Sequence, residues 1–307
     1  MEAHGHSHDH PPGHHHHGGA GKSLYRALWL TLAFAAVEAV GGLWSGSLAL
    51  IGDAGHMFSD SFALGLAAFA AWLSHKPPSA RHTYGLVRAE VIAAFFNGLL
   101  MVALIVAITV EAVQRLLHPQ PVAGGAVMGI AFVGLLVNVL VAFVLSGGEH
   151  NLNTRAALLH VIGDLLGSVA ALVSGAVIYF TGWTPVDPLL SLGLAGLILY
   201  STIHLLREAL HILMEGVPFG LDVERVGRRL ATLPGVRSVH DLHIWRVSGG
   251  TVALSAHLIL DKLDRWPAVL HESRRLLHDD FDIEHVTLQP EVLLEREGGA
   301  PIPIHPI

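Results

Sequence analysis

Long apolar stretches, separated by short polar or proline- and glycine-containing segments, occupy the first two thirds of the chain. Six of them are close to the roughly 20 residues that a helix needs to cross a bilayer. Because hydrocarbon offers no partners for backbone groups, each stretch is predicted to be an α-helix. The stretches span residues 24–44, 48–73, 91–116, 122–145, 156–180 and 189–213, and Pro119, Pro121, Pro185 and Pro188 fall between them.

The pattern changes after Gly216, where more than half of all Asp, Glu, Lys and Arg residues lie in under a third of the chain. Helical periodicity over 221–233 and 266–281 and strand-like runs over 236–247, 251–260 and 283–288 give the order αββαβ. The pair Gly249-Gly250 fits a turn between the first two strands. This order predicts a small, two-layer α+β domain following the six spans.

Both ends of the chain are poor in apolar residues. The stretch 1–21 is rich in Gly and His, with histidines at 4, 6, 8, 10 and 14–17. The stretch lacks the apolar segment that a signal peptide needs. We expect it to be a disordered arm that gathers metal loosely, and a purification tag is the less favoured interpretation. The predicted organisation is an arm (1–21), a transport domain (22–215), an α+β domain (216–292) and a flexible tail (293–307).

Basic residues predict the orientation in the membrane. If the N-terminus is cytoplasmic, the cytoplasmic loops and flanks of the spans hold Lys22, Arg26, Lys76, Arg81, Arg88, Arg155 and Arg207. The opposite side holds only Arg115. Six crossings then return the C-terminus, with the α+β domain, to the cytoplasm.

Composition narrows the function. Of the 307 residues, 52% are hydrophobic and only 14% charged, against about 25% charged in soluble domains. This argues against a water-soluble globule, and the net charge of −7 argues against a nucleic-acid partner. There are no cysteines, which excludes thiolate zinc sites and thiol catalysis, whereas 23 histidines point to a divalent metal held by nitrogen and oxygen.

Two of the spans carry the pattern H-x-x-x-D, as His56…Asp60 in the second and His160…Asp164 in the fifth. Residues four apart lie on one helix face, so each helix offers an imidazole and a carboxylate together. Facing each other, the two helices would supply two nitrogens and two oxygens, a tetrahedral set suited to Zn²⁺. Because charged groups are costly in membrane helices, we favour this shared site over two independent His–Asp pairs.

Other polar residues of the spans are weaker candidates. Asp53 lies one turn before His56 and is predicted to be a pathway or second-shell group outside the ligand set. For Asn97 and Asn138, lining a path and packing between helices are equally favoured, whereas packing or interfacial placement is favoured for Glu38, Glu111 and His204.

Ligand chemistry ranks Zn²⁺ first and leaves Co²⁺, Ni²⁺, Fe²⁺ and Mn²⁺ open. Protons compete with metal for imidazole and carboxylate, and imidazole titrates at about pH 6.5. A site exposed alternately to two sides would therefore exchange metal for H⁺. An intramembrane metallohydrolase is disfavoured because no H-E-x-x-H or G-x-S-x-G occurs. A non-transporting membrane zinc sensor is disfavoured because it would not need ligands at mid-depth.

The motifs of the chain resemble those of the cation diffusion facilitator family of zinc transporters. They are Asp53-Ala-x-His56-x-x-x-Asp60, Tyr84-Gly85-x-x-Arg88-x-Glu90, His160-x-x-x-Asp164 and Val239-His240-Asp241-Leu242-His243-Ile244-Trp245. The resemblance extends from about residue 24 to residue 291. It implies a homodimer with a ferredoxin-like cytoplasmic domain that exports Zn²⁺ in exchange for protons, with His56, Asp60, His160 and Asp164 as the transport site.

The resemblance also implies metal ligands in the cytoplasmic domain. His240, His257 and Glu291 match such ligands, and either Glu284 or His285 lies where another ligand is often found. The spacing of His240 and His257 is compatible with facing strands joined by a tight turn. Solvated surface histidines are an equally favoured interpretation at these positions.

Overall fold

The computed structural model describes residues 18–146, 152–247 and 250–292; the predicted arm up to residue 17 and the tail after 292 lie outside them. Six long helices come first. They are α1 (Gly18–Ser45), α2 (Leu48–Ser74), α3 (Ala89–Leu117), α4 (Gly124–Ser146), α5 (Leu152–Thr181) and α6 (Val186–Leu213). All six are long and apolar enough to cross a membrane. Large apolar side chains such as Trp44 (79% exposed) and Phe180 (77%) point outward, as lipid-facing residues do.

Two helix starts correct the sequence analysis. Helix α1 begins at Gly18, so residues 18–21 of the predicted arm are helical; adding a turn to an existing helix is easy once the span is formed. Helix α6 begins at Val186 and contains Pro188, which was placed between segments. Its first turn tolerates proline because the N–H groups there have no partner within the helix.

The chain divides into two compact units, each of which contains part of the six long helices. The first contains the residues up to Ser61 together with Leu104–Leu197, and the second contains Phe62–Ala103 together with the residues from Ile198 onward. In the first unit, Ala49, Leu50, Val127, Ala131 and Ala171 form a buried apolar cluster. Several of these side chains are alanines, so the helix backbones approach closely.

The C-terminal part has the predicted αββαβ order. Its elements are α7 (Val223–Ala231), β1 (Val236–Arg246), β2 (Val252–Leu260), a short 3₁₀ turn, α8 (Trp266–Phe281) and β3 (His285–Val292). The sheet order is β1-β2-β3, with β1 and β2 antiparallel and β2 and β3 parallel. Apolar residues of both helices and the sheet form one core, including Leu230, Leu254 and Leu277, which are fully buried.

Two predicted boundaries in this domain were wrong. Helix α7 is shorter than predicted: the Asp222 side chain caps its start by accepting a hydrogen bond from the Glu224 N–H (3.0 Å), and Pro234 disfavours helix at its end. Strand β3 begins later than predicted and continues through Pro290 to Val292. Because β3 is at the edge of the sheet, proline is tolerated there.

Candidate functional site

The structure brings together three of the predicted membrane ligands. One turn of α2 presents His56 and Asp60, with His56 Nδ1 3.3 Å from Asp60 Oδ2. On α5, Asp164 meets them, and one ligand atom from each of the three residues lies within 4.8 Å of the others. Asp164 is 3% exposed, and the side chains of His56 and Asp60 are each 15% exposed. The cluster therefore offers one imidazole and two carboxylates at a nearly enclosed point.

The fourth predicted ligand, His160, lies on α5 one turn before Asp164. Its side chain is outside the described residues, so its participation stays a prediction. Three donors of this kind already suit Zn²⁺, which takes nitrogen and oxygen ligands and is usually four-coordinate. A fourth ligand from the turn before Asp164 would complete such a set.

Two further acidic residues of the membrane helices are fully buried. Asp53, on α2, is 1% exposed, and Glu38, on α1, is 0% exposed. Neither carboxylate has a hydrogen-bond partner among the residues with described side chains. Sequence reasoning favoured packing or interfacial placement for Glu38, although a carboxylate in an apolar span was a signal for function.

The two asparagines differ in their placement. Asn138, on α4, is buried and donates a hydrogen bond from Nδ2 to Ser168 Oγ on α5 (3.1 Å). It therefore joins two helices, of which one carries Asp164. Asn97 belongs to the second unit rather than to the first, which holds the cluster, and its side-chain oxygen has no partner among the residues that the structure describes.

The start of α2 is fixed by the buried carboxylate of Asp187, near the start of α6. Asp187 Oδ2 accepts a hydrogen bond from the Leu48 N–H (2.5 Å), and Oδ1 accepts from Ser47 Oγ (2.7 Å) and Ser174 Oγ (3.0 Å). Ser174 lies on α5. One carboxylate thus satisfies a free N–H of α2 and links the two helices that carry the cluster.

The motif around Tyr84 and Arg88 has contacts within the second unit. Gly85 has a positive φ of 75°, which glycine adopts without strain. Arg88 forms an ion pair with Glu215, after the end of α6 (3.0 Å), and Ser74 Oγ donates to Glu90 Oε1 (2.9 Å). These contacts connect the end of α2, the start of α3 and the end of α6.

A second group of possible ligands lies on the sheet. His240 on β1 and His257 on β2 are register partners, with ring centroids 5.3 Å apart. Glu291 on β3 reaches both: His257 Nδ1 is 2.8 Å from Oε1 and His240 Nε2 is 3.2 Å from Oε2. One atom from each residue lies within 4.8 Å of the others. Three sequence candidates thus meet on one face of the sheet.

The other cytoplasmic candidates are not in this group. Glu284 and His285 are both exposed, and the rings of His285 and Tyr84 form a T-shaped pair with centroids 5.7 Å apart. In contrast, Asp241, which was not predicted, lies beside the group, with Oδ2 3.5 Å from His257 Nε2. It has a positive φ of 49° at an irregularity between His240 and His243, a backbone detail that spacing alone does not reveal.

The electrostatics of this face favour a charged carboxylate. Asp241 Oδ1 is 2.9 Å from His243 Nε2. This hydrogen bond, followed by the charges of the neighbouring imidazoles, lowers the pKa of Asp241 below its ordinary value. An exposed, ionised carboxylate thus accompanies the half-buried ligand group.

Comparisons with known proteins match this architecture. Residues 24–214 match the cation efflux transmembrane domain, and residues 218–292 match the cation efflux protein cytoplasmic domain. The chain is 43% identical over 289 residues to the zinc transporter ZitB of Escherichia coli, covering 93% of this chain and 92% of ZitB. It is 40% identical to the metal cation efflux system protein CzcD of Cupriavidus metallidurans, covering 94% of this chain and 90% of CzcD.

A third relative is the cadmium, cobalt and zinc/H(+)-K(+) antiporter of Bacillus subtilis, 39% identical over 94% of each chain. A solved structure of the metal-bound C-terminal domain of CzcD is 40% identical, covering 23% of this chain and 99% of that one, with a TM-score of 0.22. The chain belongs to the cation diffusion facilitator, or cation efflux, family of membrane metal transporters. It is a multi-pass membrane protein, as the six spans predict.

Proposed function

We propose that this protein exports Zn²⁺ from the cytoplasm in exchange for protons. The observation that carries the proposal is the meeting of His56, Asp60 and Asp164 inside the helical part of the chain, with their ligand atoms within 4.8 Å. His160, one turn before Asp164, is the fourth ligand of the proposed His₂Asp₂ site between α2 and α5. Zn²⁺ is the substrate that this set of donors suits first.

Coupling to protons follows from the ligands themselves. A carboxylate or imidazole must lose its proton to bind metal, so metal and protons compete for the same atoms. If the site opens alternately to each side of the membrane, protons entering from one side displace metal that came from the other. One relative supports this reading, since the Bacillus subtilis protein is named a cadmium, cobalt and zinc/H(+)-K(+) antiporter.

The assembly and orientation are part of the proposal. Both termini lie in the cytoplasm, with a transport domain over 22–215 and a cytoplasmic domain over 216–292. Two copies form a homodimer, which the match of residues 218–292 to the cation efflux cytoplasmic domain supports. His240, His257 and Glu291 form a regulatory zinc site.

The test is zinc flux in proteoliposomes that contain the full chain and a zinc-sensitive dye, with an imposed pH gradient. Wild type should move Zn²⁺ against counter-flowing H⁺, and His56→Ala and Asp164→Asn should each lower the initial rate by at least tenfold. Glu224→Gln, on the exposed surface of the cytoplasmic domain, is the matched control and should retain the wild-type rate.

Each alternative has its own outcome in this assay. Unchanged flux in His56→Ala and Asp164→Asn would contradict the proposed site. Wild-type flux that dissipating the pH gradient leaves unchanged would contradict proton coupling. Competition of Co²⁺, Ni²⁺, Fe²⁺ and Mn²⁺ with Zn²⁺ in the same assay then ranks the transported metals. Zinc binding by the wild type without any flux would identify a membrane zinc sensor instead.

A further inference from the structure

Asp241 of β1 is not a member of the cytoplasmic ligand group, although it lies against one of its imidazoles. Its Oδ2 is 3.5 Å from His257 Nε2, and its Oδ1 is 2.9 Å from His243 Nε2. The other ring nitrogen of His257, Nδ1, is 2.8 Å from Glu291 Oε1. The two nitrogens of one imidazole therefore face two different carboxylates, of which only that of Glu291 belongs to the ligand group.

An irregularity of β1 places Asp241 on the face of the sheet that carries this group. Between the register pairs formed by His240 and by His243, β1 has one residue more than β2. Successive side chains of a regular strand point to opposite faces, but here Val239 and Leu242 both pack against the apolar core. The two residues between them, His240 and Asp241, therefore lie side by side on the other face. Bulges commonly re-aim a side chain in this way beside functional sites.

The backbone of Asp241 adopts a conformation that most residues avoid. Its φ of 49° lies in the left-handed region, which residues with a Cβ atom rarely adopt, although aspartate and asparagine do so more readily than most. Such a conformation persists where surrounding contacts determine it, and it is typical of functional sites. For Asp241 those contacts are the bulge itself and the imidazoles of His243 and His257.

The chemistry of a metal-bound imidazole gives this carboxylate a task. A neutral imidazole carries one ring proton, and the nitrogen that binds metal is the one without it. In the structure Nδ1 of His257 approaches Glu291 closely, so the ring proton belongs between them, which agrees with the longer distance from Nε2 to Asp241. When Nδ1 binds a metal ion, the ring proton is on Nε2, and the carboxylate of Asp241 is the acceptor beside it.

We propose that Asp241 is a positioning residue of the cytoplasmic zinc site, which accepts a hydrogen bond from Nε2–H of zinc-bound His257 and so holds Nδ1 toward the metal. The inference rests on the proposed function, which makes His240, His257 and Glu291 a zinc site. His240 has no equivalent acceptor, since its buried Nδ1 has no hydrogen-bond partner among the residues with described side chains. Asp241 therefore orients only one of the two imidazoles.

The experiment measures zinc affinity of the full chain in detergent, by competition with a chromophoric chelator in a His56→Ala background. Asp241→Gly removes the carboxylate but accommodates the positive φ, and it should weaken binding by roughly 10–100-fold, as loss of an orienting acceptor does. Asp241→Asn keeps an acceptor oxygen, though an uncharged one, and should lose less than about threefold. Asp282→Gly is the matched control and should retain the affinity, because Asp282 also has a positive φ (57°) but is exposed at the end of α8.

A second measurement separates orientation of the ring from the stability of β1. In the zinc-bound chain labelled with ¹⁵N at histidine, and assigned with His257→Ala, NMR should show zinc on Nδ1 of His257 and a proton on Nε2. Asp241→Gly should lose this single pattern, which a merely structural role would leave in place. Zinc on Nε2 of His257 in the wild type would overturn the proposal, whether or not Asp241→Gly folds.

The affinities give two further ways to overturn it. Unchanged affinity in Asp241→Gly would show that the carboxylate does not act on the site, and equal losses in Asp241→Asn and Asp241→Gly would show an effect of charge alone. If His257→Ala also leaves the affinity unchanged, the proposed cytoplasmic zinc site is itself wrong, and Asp241 loses its role together with it.

Discussion

The carboxylate of Asp187 accepts a hydrogen bond from the backbone N–H of Leu48 at 2.5 Å. Asp187 lies in the first turn of α6 and Leu48 begins α2. The same carboxylate also accepts a hydrogen bond from the side chain of Ser174 on α5 (3.0 Å). The helices that carry His56 and Asp164 are therefore joined through a third helix, away from the ligands themselves. Asp187 acts on the site by holding these helices in register.

Replacing Asp187 tests this connection. In Asp187→Ala the buried N–H and the two hydroxyl groups lose their acceptor, and each unsatisfied polar group costs about 1–3 kcal/mol. We expect a lower thermal unfolding midpoint in detergent and a loss of zinc flux. Ser201→Ala is the control, because among the described residues the Ser201 hydroxyl donates only to Ile198 O within its own helix. Wild-type stability in Asp187→Ala would contradict the role.

The fourth ligand can be tested by spectroscopy as well as by flux. The variant His240→Ala/His257→Ala removes the cytoplasmic group. In this background, at one Zn²⁺ per protomer, X-ray absorption should show four nitrogen or oxygen neighbours of the metal at about 2.0–2.2 Å. His160→Ala should lose one imidazole from this shell and at least tenfold in flux. An unchanged imidazole count in His160→Ala would show that His160 is not a ligand.

The cytoplasmic group predicts which histidines affect metal affinity. His257→Ala and Glu291→Gln each remove a member of the group and should weaken zinc binding there by at least tenfold. His285→Ala and Glu284→Gln should change it by less than about twofold, since both residues are exposed outside the group. Competition with a chromophoric chelator, in a His56→Ala background, measures the affinity. A tenfold loss in His285→Ala would restore it to the ligand set.

The pKa of Asp241 should depend on His243. His243 holds that pKa below its ordinary value, so the native state gains from ionised Asp241 above the unfolded pKa and loses this gain as the pH falls through the folded pKa. His243→Ala should raise the pKa of Asp241. A carboxyl ¹³C NMR titration of the chain labelled at aspartate, assigned with Asp241→Asn, measures it, and an unchanged titration would contradict the hydrogen bond as the cause.

The six membrane spans and the pairing of His56 with Asp60 could be predicted from the sequence because both depend on local patterns of residues. Apolar runs of the required length give the spans, and the spacing of His56 and Asp60 places both on one helix face. Which faces meet depends on packing between distant segments. The burial of Glu38 therefore could not be derived from its position in α1, although an acid there was a reason to suspect function.

In the cytoplasmic part, local pattern gave the order of elements but not all of the contacts. The end of β3 was missed because Pro290 is a signal against strand, and only the edge position of β3 removes that objection. Asp241 was not predicted beside the ligand group because its approach depends on the irregularity between His240 and His243. Such backbone departures are decided by the whole sheet rather than by nearby residues.

The parallel pairing of β3 with β2 brings Glu291 beside His257, 34 positions earlier in the chain. A nascent chain that has passed β2 already contains both imidazoles, but the carboxylate arrives only with the last strand. A metal ion bound by all three would therefore add its binding free energy to the docking of β3. Zinc supply during synthesis would then favour completed cytoplasmic domains over unfinished ones.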